Sequence, residues 1–181
     1  MIELASNYKL VEVYGSLLSA KQREFTLKGK GIMRERGKVE RRGWKLSFDR
    51  YSCIKWKGAV LNLVFTNNPE DVYYTTIYEV DDNAYESIIN REMGKQTANE
   101  WKQKKAINCN SYRPIQLCSE FGISDIFIIP DEGREKLKAN DEDKYVKTVR
   151  EGIEESYNDK PAQLKANLKA LDRAIKESKS I

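Results

Sequence analysis

Short apolar blocks punctuated by polar turns fill the first half of the chain, and helical spacing takes over in the last third. A first strand is predicted over residues 9–18. Within it "LVEVYGSLLS" (10–19) is interrupted at Tyr14-Gly15-Ser16 and resumes as Leu17-Leu18. "WKLSFD" (44–49), "GAVLNLVF" (58–65) and "VYYTTIYEV" (72–80) are rich in β-branched and aromatic residues and read as three further strands. Asn67-Asn68-Pro69-Glu70-Asp71 supplies turn chemistry between the last two, so an antiparallel meander is expected. The polar, glycine-bearing stretch from Thr26 to Arg42 reads as a long loop.

The period changes after Val80. Asn83 with Glu86 three residues on forms a capping box, the spacing from Tyr85 to Met93 is helical, and Gly94 is a stop. "KQTANEWKQKKAIN" is polar enough to be helix or loop. "PIQLC" (114–118) and "DIFIIP" (125–130), joined through Gly122, suggest a strand pair. Tyr145, Val149 and Ile153 mark one amphipathic helix over 144–157; Leu164, Leu168, Leu171 and Ile175 mark another over 162–177, separated at Pro161. The expected organisation is a domain over 1–160 with a C-terminal amphipathic helix over 161–181 packed on it.

Two local features carry chemistry. A glycine that breaks a strand serves either a bulge or a close backbone approach, and bare amides at a strand end suit an anionic group. The helix after the strands has Tyr85, Ile88 and Ile89 on its buried face, and the next position on that stripe is Glu92. A carboxyl placed there is desolvated and ready to exchange a proton unless it reaches water or pairs with Arg91 or Lys95.

Composition narrows the chemistry further. With 181 residues, 40% of them hydrophobic, the chain fits one ordinary domain. No run approaches the roughly 18 apolar residues of a membrane span, and no export leader is visible, so a cytoplasmic location is expected. Cys53, Cys109 and Cys118 are widely spaced and there is no histidine, which argues against a zinc site, a disulfide framework and any Ser-His-Asp triad. Proton transfer falls to carboxylate, lysine, tyrosine or water. Between Lys28 and Lys57 eleven lysines and arginines face only Glu35, Glu40 and Asp49, with Trp44, Tyr51 and Trp56 interleaved. Such a run is either a nucleic-acid surface or a charge-guarded sheet edge.

In order along the chain, "VYGSLL" ending the first strand, "GWKLSFDRYS" (43–52), "WKGAVLNLVF" (56–65), "VYYTTIYEVDDNAYESIINRE" (72–92) and, more loosely, "IIP" (128–130) followed by Tyr145 resemble the gamma-glutamylcyclotransferase family in its broad sense. That sense includes the gamma-glutamylamine cyclotransferases and AIG2-like proteins. The resemblance implies an α+β fold, a small bent mixed sheet or barrel with flanking helices and C-terminal helices. It also implies a substrate loop of Tyr14, Gly15, Ser16, Leu17 and Leu18, Glu92 as general base and acid, and Tyr145 as a substrate hydrogen-bonding group. The implied reaction is metal-independent and needs no cofactor: the α-amine of a small gamma-glutamyl amide attacks its own γ-carbonyl, releasing 5-oxoproline and an amine or amino acid. The family often follows its glutamate with glycine and soon Tyr-Arg; here Met93-Gly94 and a lysine-rich stretch intervene before Tyr112-Arg113. The alternative is a non-catalytic module of the same fold, using residues 28–57 to contact nucleic acid or an acidic partner.

Overall fold

The computed structural model describes residues 8–52, 55–106 and 111–180. In chain order the elements are β1 (Tyr8–Val13), a 3-10 turn (Gly15–Leu18), α1 (Ala20–Leu27), β2 (Met33–Arg42), β3 (Trp44–Ser52), β4 (Gly58–Phe65), β5 (Val72–Asp81), α2 (Asp82–Met93), α3 (Lys95–Lys102), β6 (Arg113–Ser119), β7 (Gly122–Ile128), α4 (Lys144–Tyr157) and α5 (Pro161–Ser178). The fold is α+β. Its larger sheet is mixed, in the order β2-β5-β1-β7-β6, with β1 parallel to β7 and antiparallel to β5; β3 and β4 form a separate two-stranded sheet. Edges at β2 and β6 leave the larger sheet open rather than closed into a barrel. Two compact units partition the chain: Met1–Val13, Arg23–Val39 and Thr76–Gly133 form one, and Tyr14–Gln22, Glu40–Thr75 and Arg134–Ile181 the other.

In the first unit Leu10, Val39 and Ile77 form a buried cluster capped by Phe121, and α2 packs on β1. The predicted long loop over 26–42 is instead the end of α1 and the ten-residue strand β2. Only Val39 of that strand is buried, because an edge strand needs one apolar anchor and can leave its other side chains in water. Arg36 reaches Glu79 of β5 at 3.2 Å, a cross-strand pair that a polar sequence can supply as well as an apolar one. The predicted Asn83 cap is also corrected. Asp81 ends β5 in extended conformation and its Oδ1 accepts from the Ala84 amide at 2.8 Å, so α2 starts at Asp82. The stretch left open after Gly94 is helical over α3, and "PIQLC" and "DIFIIP" supply the antiparallel pair β6–β7.

In the second unit β3 and β4 pair, but the expected meander stops there, since β5 belongs to the other sheet. The turn before β5 explains the divergence. Asp71 O accepts from the amides of Gly43 and Trp44 at 2.8 and 3.3 Å, while its carboxylate accepts from Thr66 Oγ1 at 2.7 Å and Arg173 Nη1 at 2.6 Å. That knot pins the connection at the start of β3 instead of folding it back as a hairpin. Helix α5 packs on β3 and on α4. From α5 the fully buried Asn167 behaves as a missing strand partner: its Oδ1 accepts from Tyr74 N and its Nδ2 donates to Tyr74 O, both at 2.9 Å, and the Tyr157 hydroxyl donates to the same carbonyl.

Replacing Asn167 by Leu strands a buried peptide N–H and weakens the paired carbonyl, a loss of about 2–3 kcal/mol. Thermal unfolding followed by circular dichroism is expected to show a Tm lower by roughly 5–10 °C.

Candidate functional site

The first strand ends at Val13, four residues before the predicted leucines resume. Tyr14 is extended, Gly15 takes φ +64°, and the chain closes into a 3-10 turn in which Gly15, Ser16, Leu17 and Leu18 are all buried. Leu17 and Leu18 therefore anchor a turn rather than continue a strand. A side chain at Gly15 would be strained by the left-handed backbone, and its Cβ would lie 3.2 Å from the Tyr145 hydroxyl.

Helix α4 holds this turn from behind. Gly152 admits the backbone so closely that a Cβ there would fall 2.6 Å from Ser19 N. Ser156 Oγ donates to Leu18 O at 2.9 Å, and Glu155 Oε2 accepts from Ala20 N at 3.0 Å. Two turns earlier on the same helix, the Tyr145 hydroxyl accepts from Leu61 N at 3.2 Å and its ring meets Trp56 edge-on at 5.1 Å. A third group, Tyr73 of β5, was not singled out from sequence. It is fully buried, and burial pushes its phenol well above the ordinary value; Tyr157 and Tyr145 push the same way, while the Gly15 amide pulls it down. Tyr73 occurs in a strand already crowded with tyrosines, so nothing in its spacing marks it.

The second unit thus brings together Tyr14, Gly15, Ser16, Leu17, Leu18 and Tyr145, all expected from sequence, and adds Tyr73 and Trp56. Glu92 lies in the first unit, in the last turn of α2. Ile88 and Ile89 of its stripe are buried and Tyr85 partly so, with the Tyr85 hydroxyl donating to Asp125. The Glu92 side chain is 19% exposed, and Oε1 accepts from Arg91 Nε at 3.0 Å. Of the partners open to it in sequence, Arg91 is the one it has; Arg91 is itself tied to Thr26 Oγ1 at 2.6 Å.

Two solved structures superpose on most of the chain. One is a human protein described only as uncharacterised, with 13% sequence identity and a TM-score of 0.59 over 89% of this chain and 87% of that one. The other is a gamma-glutamyl cyclotransferase, also 13% identical with a TM-score of 0.59, over 88% of this chain and 86% of that one. The chain has the gamma-glutamylcyclotransferase fold. YkqA from Bacillus subtilis shares this fold with a TM-score of 0.53 and 13% identity, across 87% of this chain and 55% of its own. No family model and no curated sequence matches, so the likeness is one of fold. Among the described residues no helix is long and apolar enough to cross a membrane. Cys118 is exposed and forms no disulfide among the described residues; Cys53 and Cys109 lie outside the described residues.

A second carboxylate stands out in the gamma-glutamylcyclotransferase-like framework. Asp49 of β3 is 2% exposed, and burial pushes its carboxyl up to about 6, against the opposing influence of the Asn62 hydrogen bond, the Arg134 charge and Ser47. A raised acid favours its neutral form in the folded state, so ionisation costs stability as pH climbs from the unfolded value through 6. Asp49→Asn is therefore expected to raise Tm by roughly 4–8 °C near pH 7.5 and to change it little near pH 4, read from unfolding curves at both values.

Proposed function

We propose that the protein is a gamma-glutamyl cyclotransferase-like enzyme that cleaves a gamma-glutamyl amide to 5-oxoproline and an amine or amino acid. The observation that carries this reading is the buried turn Gly15–Leu18, with Gly15 at φ +64° beside the Tyr145 hydroxyl, in a chain of this fold. A left-handed glycine in a 3-10 turn lets consecutive amides face one way, the arrangement that suits a substrate carboxylate or a developing oxyanion.

The substrate carries its own nucleophile. Its α-amine attacks the γ-carbonyl, a C–N bond closes the five-membered ring, and the original amide C–N bond breaks. Holding the chain folded converts an unfavourable encounter into a unimolecular step. The α-ammonium must first lose a proton, and the leaving amine must gain one. In this proposal the Glu92 carboxylate takes the first proton and returns it to the leaving group, and Arg91 orients it. The turn and Tyr145 bind the glutamyl portion, with Tyr14 at the entrance to the turn. The reaction as written uses no cofactor.

Incubating the purified protein with a panel of gamma-glutamyl amines and amino acids should yield 5-oxoproline by mass spectrometry. Glu92→Gln keeps the shape but not the base, and kcat is expected to fall by about 10²–10⁴ with an unchanged circular dichroism spectrum. Full activity in that variant would refute the role of Glu92. Gly15→Ala should lose at least about tenfold in kcat/KM, because the turn is displaced from the reacting group.

A further inference from the structure

Arg91 and Glu92 are consecutive on α2, and neighbours one residue apart on a helix point about 100° from each other. Ion pairs along a helix surface form three or four residues apart, so a pair between consecutive residues needs something else to turn one side chain across to the other. Here that something lies on another helix. Arg91 Nη1 donates to Thr26 Oγ1 of α1 at 2.6 Å, while Nε of the same guanidinium donates to Glu92 Oε1 at 3.0 Å. All three residues belong to the first unit. The Arg91 side chain is 13% exposed and that of Glu92 19%, so the link is drawn partly out of water, where charge-assisted hydrogen bonds hold best. Neither end of the link is explained by helix stability. Helix α1 buries none of its eight side chains, so no core asks for a threonine at 26, and threonine is a weak helix former. Glu92 stands in the last turn of α2, where the helix dipole disfavours a carboxylate and favours the cation of Arg91.

We propose that Thr26 is a positioning residue for the cyclisation: through Arg91 it fixes the carboxylate of Glu92, with Oε1 held and Oε2 left to take the proton of the α-ammonium and return it to the leaving amine. This role rests on the reading of Glu92 as general base and acid. Among the described residues the contact to Glu92 is made at Oε1, so its two oxygens are not equivalent. A guanidinium suits the task because its Nε and Nη donors lie in one rigid plane, and fixing one edge on Thr26 orients the other toward the acid. A lysine ammonium is a point donor on a flexible stem and cannot tie both partners in one orientation. Without the Thr26 hydroxyl the guanidinium regains the rotamer freedom of a long side chain, and the acid loses its fixed setting.

The test measures kcat and KM on the gamma-glutamyl compound that wild type turns over fastest. Thr26→Val keeps the shape but not the hydroxyl; kcat is expected to fall about tenfold with KM changed less than about twofold, whereas Thr26→Ser keeps kcat within about twofold of wild type. Arg91→Lys should lose a similar factor, and adding Thr26→Val to it should cost nothing further, because the link is already cut. Full kcat in Thr26→Val, an equal loss in Thr26→Ser, or fully additive losses in the double variant would each overturn the role of Thr26. A second readout needs no turnover. In proton–nitrogen NMR spectra the Arg91 Nε–H should exchange slowly with water in wild type and Thr26→Ser, and at least about tenfold faster in Thr26→Val; equal exchange in all three overturns the link. A wild type that forms no 5-oxoproline refutes the proposed reaction and with it the catalytic role of Thr26, while the exchange rates still decide whether Thr26 holds Arg91, so the two failures are told apart.

Discussion

The placement of the Gly15–Leu18 turn depends on one close approach, that of Gly152 in α4 to the backbone of Leu18 and Ser19. Any side chain at 152 would push the helix away, and the hydrogen bonds from Ser156 to Leu18 O and from Ala20 N to Glu155 would go with it. Tyr145 lies seven residues before Gly152, two turns along the same face, at roughly 10 Å of helix rise. One helix face therefore sets both ends of the turn. It holds Leu18 by backbone contact and presents a phenol to Gly15. The 3-10 turn can then carry a left-handed glycine in a buried position without depending on its own few internal bonds, since runs of this length are weak in isolation.

The two unusual carboxylates differ in how their charge is answered. Glu92 sits at the edge of an apolar stripe, keeps some contact with water and has a guanidinium at 3.0 Å. Asp49 is turned inward by a bulge and keeps one oxygen open. A charge paired at a helix end is compatible with stability, whereas a buried oxygen without a donor opposes it. Sites that oppose stability persist where they serve binding or chemistry.

Strands β4 and β5, the β6–β7 pair and helices α4 and α5 were legible because their apolar spacing is regular and their turns carry proline, glycine or asparagine. The failures have a common cause in tertiary context. The edge strand β2 shows almost no apolar pattern, since only Val39 needs burying, and so reads as a loop. The meander failed because the Asp71 knot, closed by Arg173 about a hundred residues later, overrides the local hairpin signal. At the site, Tyr145 came only through the looser family resemblance after "IIP", whereas Gly15 could be named from the short run Tyr14-Gly15-Ser16. Tyr73 and Asp49 could not, because one sits among many tyrosines and the other occupies a polar strand position until a bulge, invisible in composition, turns it inward.

The same context explains the cationic run between Lys28 and Lys57. Charges dense in sequence need not make a dense surface, since a strand sends alternate residues to opposite faces and brings each beside other strands. Arg36 meets Glu79, Lys38 meets Glu35, Arg42 meets Glu40 and Lys45 meets Glu177. Much of the run belongs to β2, the edge of the larger sheet, where charged side chains deter pairing with another chain. Cations that already face carboxylates release fewer counterions on meeting a polyanion, so nucleic-acid affinity per lysine or arginine would be low. The part of the run that lies in β2 therefore serves the open edge of the larger sheet, whatever else the remaining cations meet.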